Sequence, residues 1–323
     1  MSEYQYYEWQ TIDRPLNPSE REAVSGLSSH METVTSTQAI VSYSWGNFKH
    51  DPRQVLLRYF DAHFYMANWG TRRLLFRFPK SVIDSHAIQP YCREDFLTLE
   101  LEGNHYILEF SLDNEEPDYE WMEAEGMLGK LAPIREQIMQ GDYRVLYLSW
   151  LKAVSTEDPE EDNSEKEPPI PAGLGKLNIS HQSFIEGFEL DEYLVNAAAK
   201  ASAQLQPVSI ASLEKALTQL SREECESFLR RLLNNEPQVR MALQKRLERL
   251  AGTKPASAAQ AQRHAGNLFK EAERLEQEDL HRQKAEAERK RIQELLDLAE
   301  REEATWRWVE SLIGQKQAGP YAE

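Results

Sequence analysis

No apolar run in the 323-residue chain approaches the roughly 20 residues that a bilayer crossing takes, so no membrane-spanning helix and no membrane partner are expected. Cysteine is nearly absent. Cys92 and Cys225 lie far apart without metal or redox spacing. Two lone thiols fit a reducing cytosol, and a disulfide between them stays open. The opening MSEYQYYEWQ has neither the basic patch nor the greasy run of a secretory signal, so a cytoplasmic protein is expected. G-x-G-x-x-G, P-loop, G-x-S-x-G and H-E-x-x-H patterns are all missing. The eight histidines are scattered, none paired with another at ligand spacing. On these grounds no catalytic residue, metal ligand or cofactor is assigned, and the reading leans away from an enzyme.

Basic residues are also in deficit. The formal net charge is −17, spread as −9 over residues 1–155, −6 over 156–167 and −2 over 168–323. Bulk nonspecific binding to nucleic acid needs a basic surface, so the excess of acid argues against it. The last half is close to neutral, which leaves room for a basic stripe there.

What is present centres on residues 45–79, where two Trp-Gly pairs bracket an apolar stretch. Asp51 suits an N-cap and Pro52 the first helical position. Val55, Leu56, Tyr59, Phe60, His63, Phe64, Met66 and Ala67 then recur at three- and four-residue steps, which predicts one helix up to Gly70. Residues 74–78 alternate as a strand, with Arg73 and Arg77 on one face and Leu74, Phe76 and Phe78 on the other. Residues 4–12 and 38–45 read as further strands. Residues 96–102 and 105–112 read as a hairpin about Gly103-Asn104. Asn17 or Ser19 can cap a helix ending near Ser25, and helical spacing returns from Gly126 to Leu151. The expected fold class is an α+β N-terminal domain, mostly antiparallel sheet with helices, over residues 1–155.

Residues 156–175 are acidic and then Pro-rich, and predict a flexible linker. Residues 176–252 predict a small all-α domain of short helices, with a Ser221-x-x-Glu224 capping box and a last helix opened by Pro237. Residues 253–323 predict one long charged helix, since neither Gly nor Pro occurs between Asn267 and Ile313. Its apolar seam is strong at Leu268, Ala272 and Leu275, fails over 276–291, and returns from Ile292. The expectation is a helix of coiled-coil type gripped at both ends by apolar contacts, with a solvated middle.

Three groups of residues invite functional readings. Arg58, His63, Arg72 and Arg73 lie close in sequence and form a candidate anion site, because guanidinium forks match carboxylate and phosphate. The competing reading pairs these arginines with Asp61 or with acids of the 96–102 strand, and makes His63 a hydrogen-bonded core residue. Leu268, Leu275, Ile292, Leu296, Trp306 and Val309 form a candidate partner-binding helix face. Arg289, Lys290 and Arg291 end a basic run that is a candidate nucleic-acid contact, without the aromatics of a single-strand platform.

The words YQYYE, IDRPL, WGNFK and YFDAHFYMANWGTRR, with EPPIPAGLGKL further on, resemble an uncharacterised bacterial family whose members look like cytosolic proteins. The later LDLAEREEATWRWVESLIGQK and PYAE are similar to helical segments of bacterial SWIM-type zinc-finger proteins, without the finger. In such proteins a further helix usually follows a Tyr-x-x-Ala-type opening, and whether this chain, which stops at Glu323 just after Tyr321, is cut short stays open. The resemblance implies no catalytic residue.

Three functions follow. The first is a non-enzymatic interaction or scaffold protein joining partners through an α+β head and a helical C-terminal arm, with a protein partner. The second is a nucleic-acid-associated accessory factor using the helical half. The third is a sensor or enzyme for a small anionic ligand, using the Arg72 and Arg73 region. The oligomeric state stays open at this level.

Overall fold

The computed structural model describes residues 3–94, 96–113, 124–156, 165–205, 210–234, 236, 238–251 and 263–314. In chain order, alternation and caps produce β1 (Gln5–Gln10), α1 (Pro18–Ser25), β2 (Met31–Val34), β3 (Gln38–Tyr43), α2 (Pro52–Tyr59), β4 (Ala62–Ala67), β5 (Arg72–Pro79), α3 (Ser85–Ile88), β6 (Leu97–Glu102) and β7 (His105–Leu112). The seven strands form one sheet in the order β2-β3-β1-β4-β5-β7-β6, every neighbouring pair antiparallel. Helices follow: α4 (Met127–Leu131), α5 (Pro133–Gln140), α6 (Arg144–Thr156), α7 (Ile179–Gly187), α8 (Glu192–Ala199), α9 (Ile210–Leu217), α10 (Arg222–Leu233), α11 (Val239–Leu250) and α12 (Ala265–Gly314). The fold is α+β, an antiparallel sheet with helices followed by a helical C-terminal region that ends in a long helix.

Successive strand residues point to opposite faces, so register decides what each side chain meets. Tyr7 stands between Val41 and Tyr65, and Trp9 between Ala39 and His63. This face packs with Val24 of α1 and with Val55 and Leu56 of α2. On the other face Phe64 lies beside Leu74, which lies beside Phe110. Phe110 meets Phe184 of α7 with ring centroids 5.3 Å apart, and Phe184 stacks on Phe188 at 4.6 Å. Trp9, Phe64, Phe76, Phe110, Phe184 and Trp150 are each at most 1 % exposed, so the sheet is filled on both sides by rings.

Capping chemistry works where the sequence places it. Asn17 and Glu20 form a reciprocal box at α1, Ser221 and Glu224 another at α10, and Asn178 and Asp191 cap α7 and α8. The β6–β7 hairpin turns at Gly103, whose φ of +58° suits glycine. Leu97 and Leu99 lie opposite Phe110 and Leu108 on one face, as the alternation predicts. Both cysteines are free thiols.

The helix expected up to Gly70 is a helix followed by a strand. α2 stops at Tyr59, where Phe60 turns extended with φ −128° and ψ 173°, and Ala62–Ala67 becomes β4 between β1 and β5. A run that is apolar on both faces fits either period. Here the open ladder edges of β1 and β5 decide, because central pairing buries five of the six residues of β4.

The domain boundaries also differ from the expectation. The chain divides into two compact units, Met1–Phe269 and Lys270–Glu323. The helices expected as a separate domain over 176–252 belong to the first unit with the sheet. Of the expected linker, residues 157–164 lie outside the described residues, while 165–175 are built into the first unit. Glu167, Ile170 and Leu174 are buried there, and Arg72 of β5 donates to the Gly187 carbonyl of α7 at 2.9 Å. Pro and Gly give residues 167–175 loop geometry, and their apolar members supply the burial that the acidic stretch lacks. The last short helix starts at Val239 behind Gln238 in the left-handed region, and Pro237 lies outside the described residues.

Within the second unit α12 continues as one helix. Every residue from 281 to 308 is exposed. Local ion pairs, Arg274 with Glu271 at 2.7 Å and with Glu278 at 3.2 Å, and Arg307 with Glu303 at 2.9 Å, support it along its length. The expected apolar grip is found at the start, where Ala265 and Leu268 are buried. It is not found at Ile292, Leu296 or Trp306, which are exposed.

Candidate functional site

The four residues of the candidate anion site do not converge. Arg72 and Arg73 are consecutive in β5 and therefore point to opposite faces of the sheet. Arg72 is buried, paired with Glu189 at 2.6 Å and with the Gly187 carbonyl. Arg73 lies on the other face with Ser111 at 2.7 Å and Asp113 at 2.8 Å. Its carboxylate partners come from β7 and the residue after it, not from β6. Arg58 is exposed on α2, its guanidinium 5.1 Å from the Tyr59 ring centroid. His63 is sealed in the core, stacked on Trp9 at 4.7 Å, with Nδ1 2.9 Å from the Glu8 carbonyl oxygen. Burial lowers its pKa to about 4, so it is neutral across the physiological range.

The structure instead gathers charges that the sequence left apart. Asp13, Asp61, Arg77 and Arg135 form a quartet in which Asp61 and Arg135 are buried and Asp13 and Arg77 half-buried. Arg135 on α5 is 0 % exposed and donates both terminal nitrogens to Asp13 at 2.8 Å, while its Nε donates to the Arg77 carbonyl at 2.8 Å. Asp61 accepts from Arg77 at 2.7 Å and from the backbone N–H groups of Ile12 and Asp13 at 2.7 and 2.9 Å. Burial pushes the Asp61 carboxyl up, but Arg135 and these donors outweigh it and hold it below the usual carboxylate range. The quartet is charge-balanced and ties the 12–13 loop, β4, β5 and α5 together. The IDRPL and YFDA words are thus explained by folding.

Other shifted groups are equally enclosed. Glu8 accepts from Gln38 at 2.7 Å and from the Tyr6 hydroxyl at 3.0 Å; burial raises its pKa against those two hydrogen bonds. Tyr147 donates to Glu167, which Arg263 clamps at 2.8 and 2.9 Å. Burial and the Glu167 charge push the Tyr147 phenol up. The Ala265 N–H donates to the Glu165 carbonyl at 2.9 Å, so residues 165–167 also pin the first turn of α12. Burial raises the Cys92 thiol to about 11, which leaves little thiolate. None of these groups lines the shallow surface grooves on α10 and between α10 and α11. Among the described residues no set of three or more His, Cys, Asp or Glu is placed to hold a metal ion, and no helix is long and apolar enough to cross a membrane.

What the described surface does offer is two helical apolar faces. On α10 no residue is buried, and Leu229, Leu232 and Leu233 are 58 %, 51 % and 81 % exposed. On α12 Ile292, Leu295, Leu296, Trp306 and Ile313 are between 49 % and 61 % exposed, with Val309 half-buried. Of the proposed partner-binding residues, Leu268 is buried in the first unit and Leu275 is half-buried. The α10 spacing is visible in the sequence, but a capped amphipathic helix normally spends that face on its own core. Arg289, Lys290 and Arg291 are exposed on α12, upstream of the stripe. Comparison of the chain with protein-family models, with curated proteins and with solved structures gave no match.

Proposed function

We propose that the protein is an interaction protein that joins partners through two surfaces, the α10 face of the first unit and the last half of α12. The observation that carries the reading is the pair of helices that keep several large apolar residues in solvent, Leu229, Leu232 and Leu233 on α10 and Ile292, Leu296 and Trp306 on α12. An ordered leucine or tryptophan cluster gains from being covered, and a protein partner of complementary shape is what covers it. The enclosed state of His63, Glu8 and Asp61 supports the same reading, because acid–base work needs a group that reaches substrate.

Affinity capture from the native host with the intact chain tests this. The L229E/L232E and L296E/W306E pairs are each expected to lose a distinct set of captured proteins while the fold is retained. Capture unchanged by both pairs, or substrate turnover by the purified chain, would overturn the reading.

A further inference from the structure

The segment that forms α9, α10 and α11 runs against the charge of the chain. Residues 210–251 hold eight Lys and Arg against six acids, net +2 within a net −17. Lys245, Arg246 and Arg249 of α11 stand three and four residues apart around one turn, and all three line the groove between α10 and α11. Phe228 and Ala242 give that groove an apolar lining, and its volume is about 440 Å³. Small-ligand sites run from about 300 to 1,000 Å³. We infer that this groove binds a small phosphate monoester, its phosphate held by Lys245, Arg246 and Arg249 and its apolar or aromatic body lying on Phe228 and Ala242.

The protein itself leaves these cations short of anions. Glu224 is the acid among the residues that line the groove, and Arg246 holds it through Nε at 2.9 Å and a terminal nitrogen at 2.8 Å. Glu224 is fixed in turn by the Ser221 N–H at 3.0 Å, so Arg246 is held in orientation by the capping box of α10. Lys245 spends one of its three protons on the Val82 carbonyl at 3.3 Å. Arg249 follows Lys245 by four residues, a spacing at which like charges repel. Burial, and then the Arg249 charge, draw the Lys245 ammonium below its ordinary value, against the pull of Glu248 and Asp84. A multivalent anion between the two heads replaces that repulsion with two attractions.

The charge count selects phosphate. Three cations and one carboxylate leave +2, which matches the charge of nearly −2 that a phosphate monoester carries at neutral pH. Guanidinium groups fork onto phosphate oxygens, and a lysine adds a point charge. A carboxylate ligand would leave one cation uncompensated. A long polyanion meets the repulsion of the acidic chain beyond the groove. Arg231 lies over the Phe228 ring at 5.5 Å, so the ring is supported where it lines the site. Leu229, Leu232 and Leu233 are not among the lining residues, so this inference stands apart from the interaction reading.

Calorimetric titration of the purified full chain with phenyl phosphate, inorganic phosphate and benzoate is the test. Phenyl phosphate is expected to bind at one site with a dissociation constant below about 1 mM, and the other two at least about tenfold more weakly. R249A, at an exposed position, and K245M are each expected to weaken phenyl phosphate at least about tenfold, with the circular dichroism spectrum unchanged. R249A decides the location even where K245M disturbs the Val82 contact. R289A/R291A on α12 and L229E/L232E on α10 are expected to leave the affinity as it is.

No binding up to about 10 mM phenyl phosphate overturns the site. Binding that ignores R249A, or that falls equally with R289A/R291A, overturns its location. Inorganic phosphate bound as tightly as phenyl phosphate overturns the apolar body, and benzoate bound as tightly overturns the phosphate.

Discussion

Arg135→Met is the sharpest perturbation of the first unit. Methionine keeps most of the volume but leaves the Asp13 carboxylate without its bidentate partner and the Arg77 carbonyl without its Nε donor. Removing one member of a buried ion pair costs about 3 to 5 kcal/mol, because the other charge stays desolvated. Against a domain stability of about 5 to 15 kcal/mol that is a large fraction. With a urea slope of about 3 kcal/mol per molar, the midpoint falls by about 1 to 1.7 M. The assay is equilibrium unfolding by fluorescence, with Trp9 at 0 % exposure as a core reporter. Adding Asp13→Asn should cost less than the sum of the single changes, since both charges then leave together. A single-variant cost below about 1 kcal/mol, or strict additivity in the cycle, would refute the claim that the quartet acts as a unit.

Three further outcomes follow from the same geometry. His63 holds its pKa near 4 against an ordinary value of 6.5, so below pH 6.5 the unfolded chain takes up a proton that the fold refuses. The His63 share of stability should be complete above pH 6.5 and fall by about 2 to 3 kcal/mol by pH 4.5, and H63Q should reduce the slope in pH-dependent urea melts, with His181, which burial also lowers to about 4, keeping the remainder. Glu167→Gln weakens the clamp on Arg263, worth about 1.5 to 3 kcal/mol for a charged hydrogen bond, and should speed amide exchange in the first turn of α12 at Ala265. Ser221→Ala removes the cap of a helix with no buried residue, so a loss of about 1 kcal/mol should appear as faster exchange at Arg222–Glu224.

Much of the local structure is legible without coordinates. Asn17 with Glu20, Ser221 with Glu224, and the 103–104 turn are short-range chemistry, satisfied within three or four residues whatever surrounds them. The Gly- and Pro-free stretch of α12 likewise needs no partner to be read as helix. The separation of Arg72 from Arg73 is also contained in the strand period. Nearness in sequence resembles nearness in space until a face is assigned, and on a strand neighbouring residues face opposite sides.

Tertiary structure decided three other matters. Residues 62–67 are apolar in both periods, and only the open edges of β1 and β5 make them a strand. Residues 165–175 carry enough apolar side chains to be held, and α6, Tyr91, Arg93, Ser202 and Arg263 supply the surface, charge and hydrogen bonds that hold them. The enclosure of Asp13, Asp61, Arg77 and Arg135 joins residues up to 122 positions apart, a separation no local pattern encodes. The physical division is one of range. Hydrogen bonds and periodicity within a turn or a hairpin are properties of the chain, whereas burial is a property of what the rest of the chain brings to it.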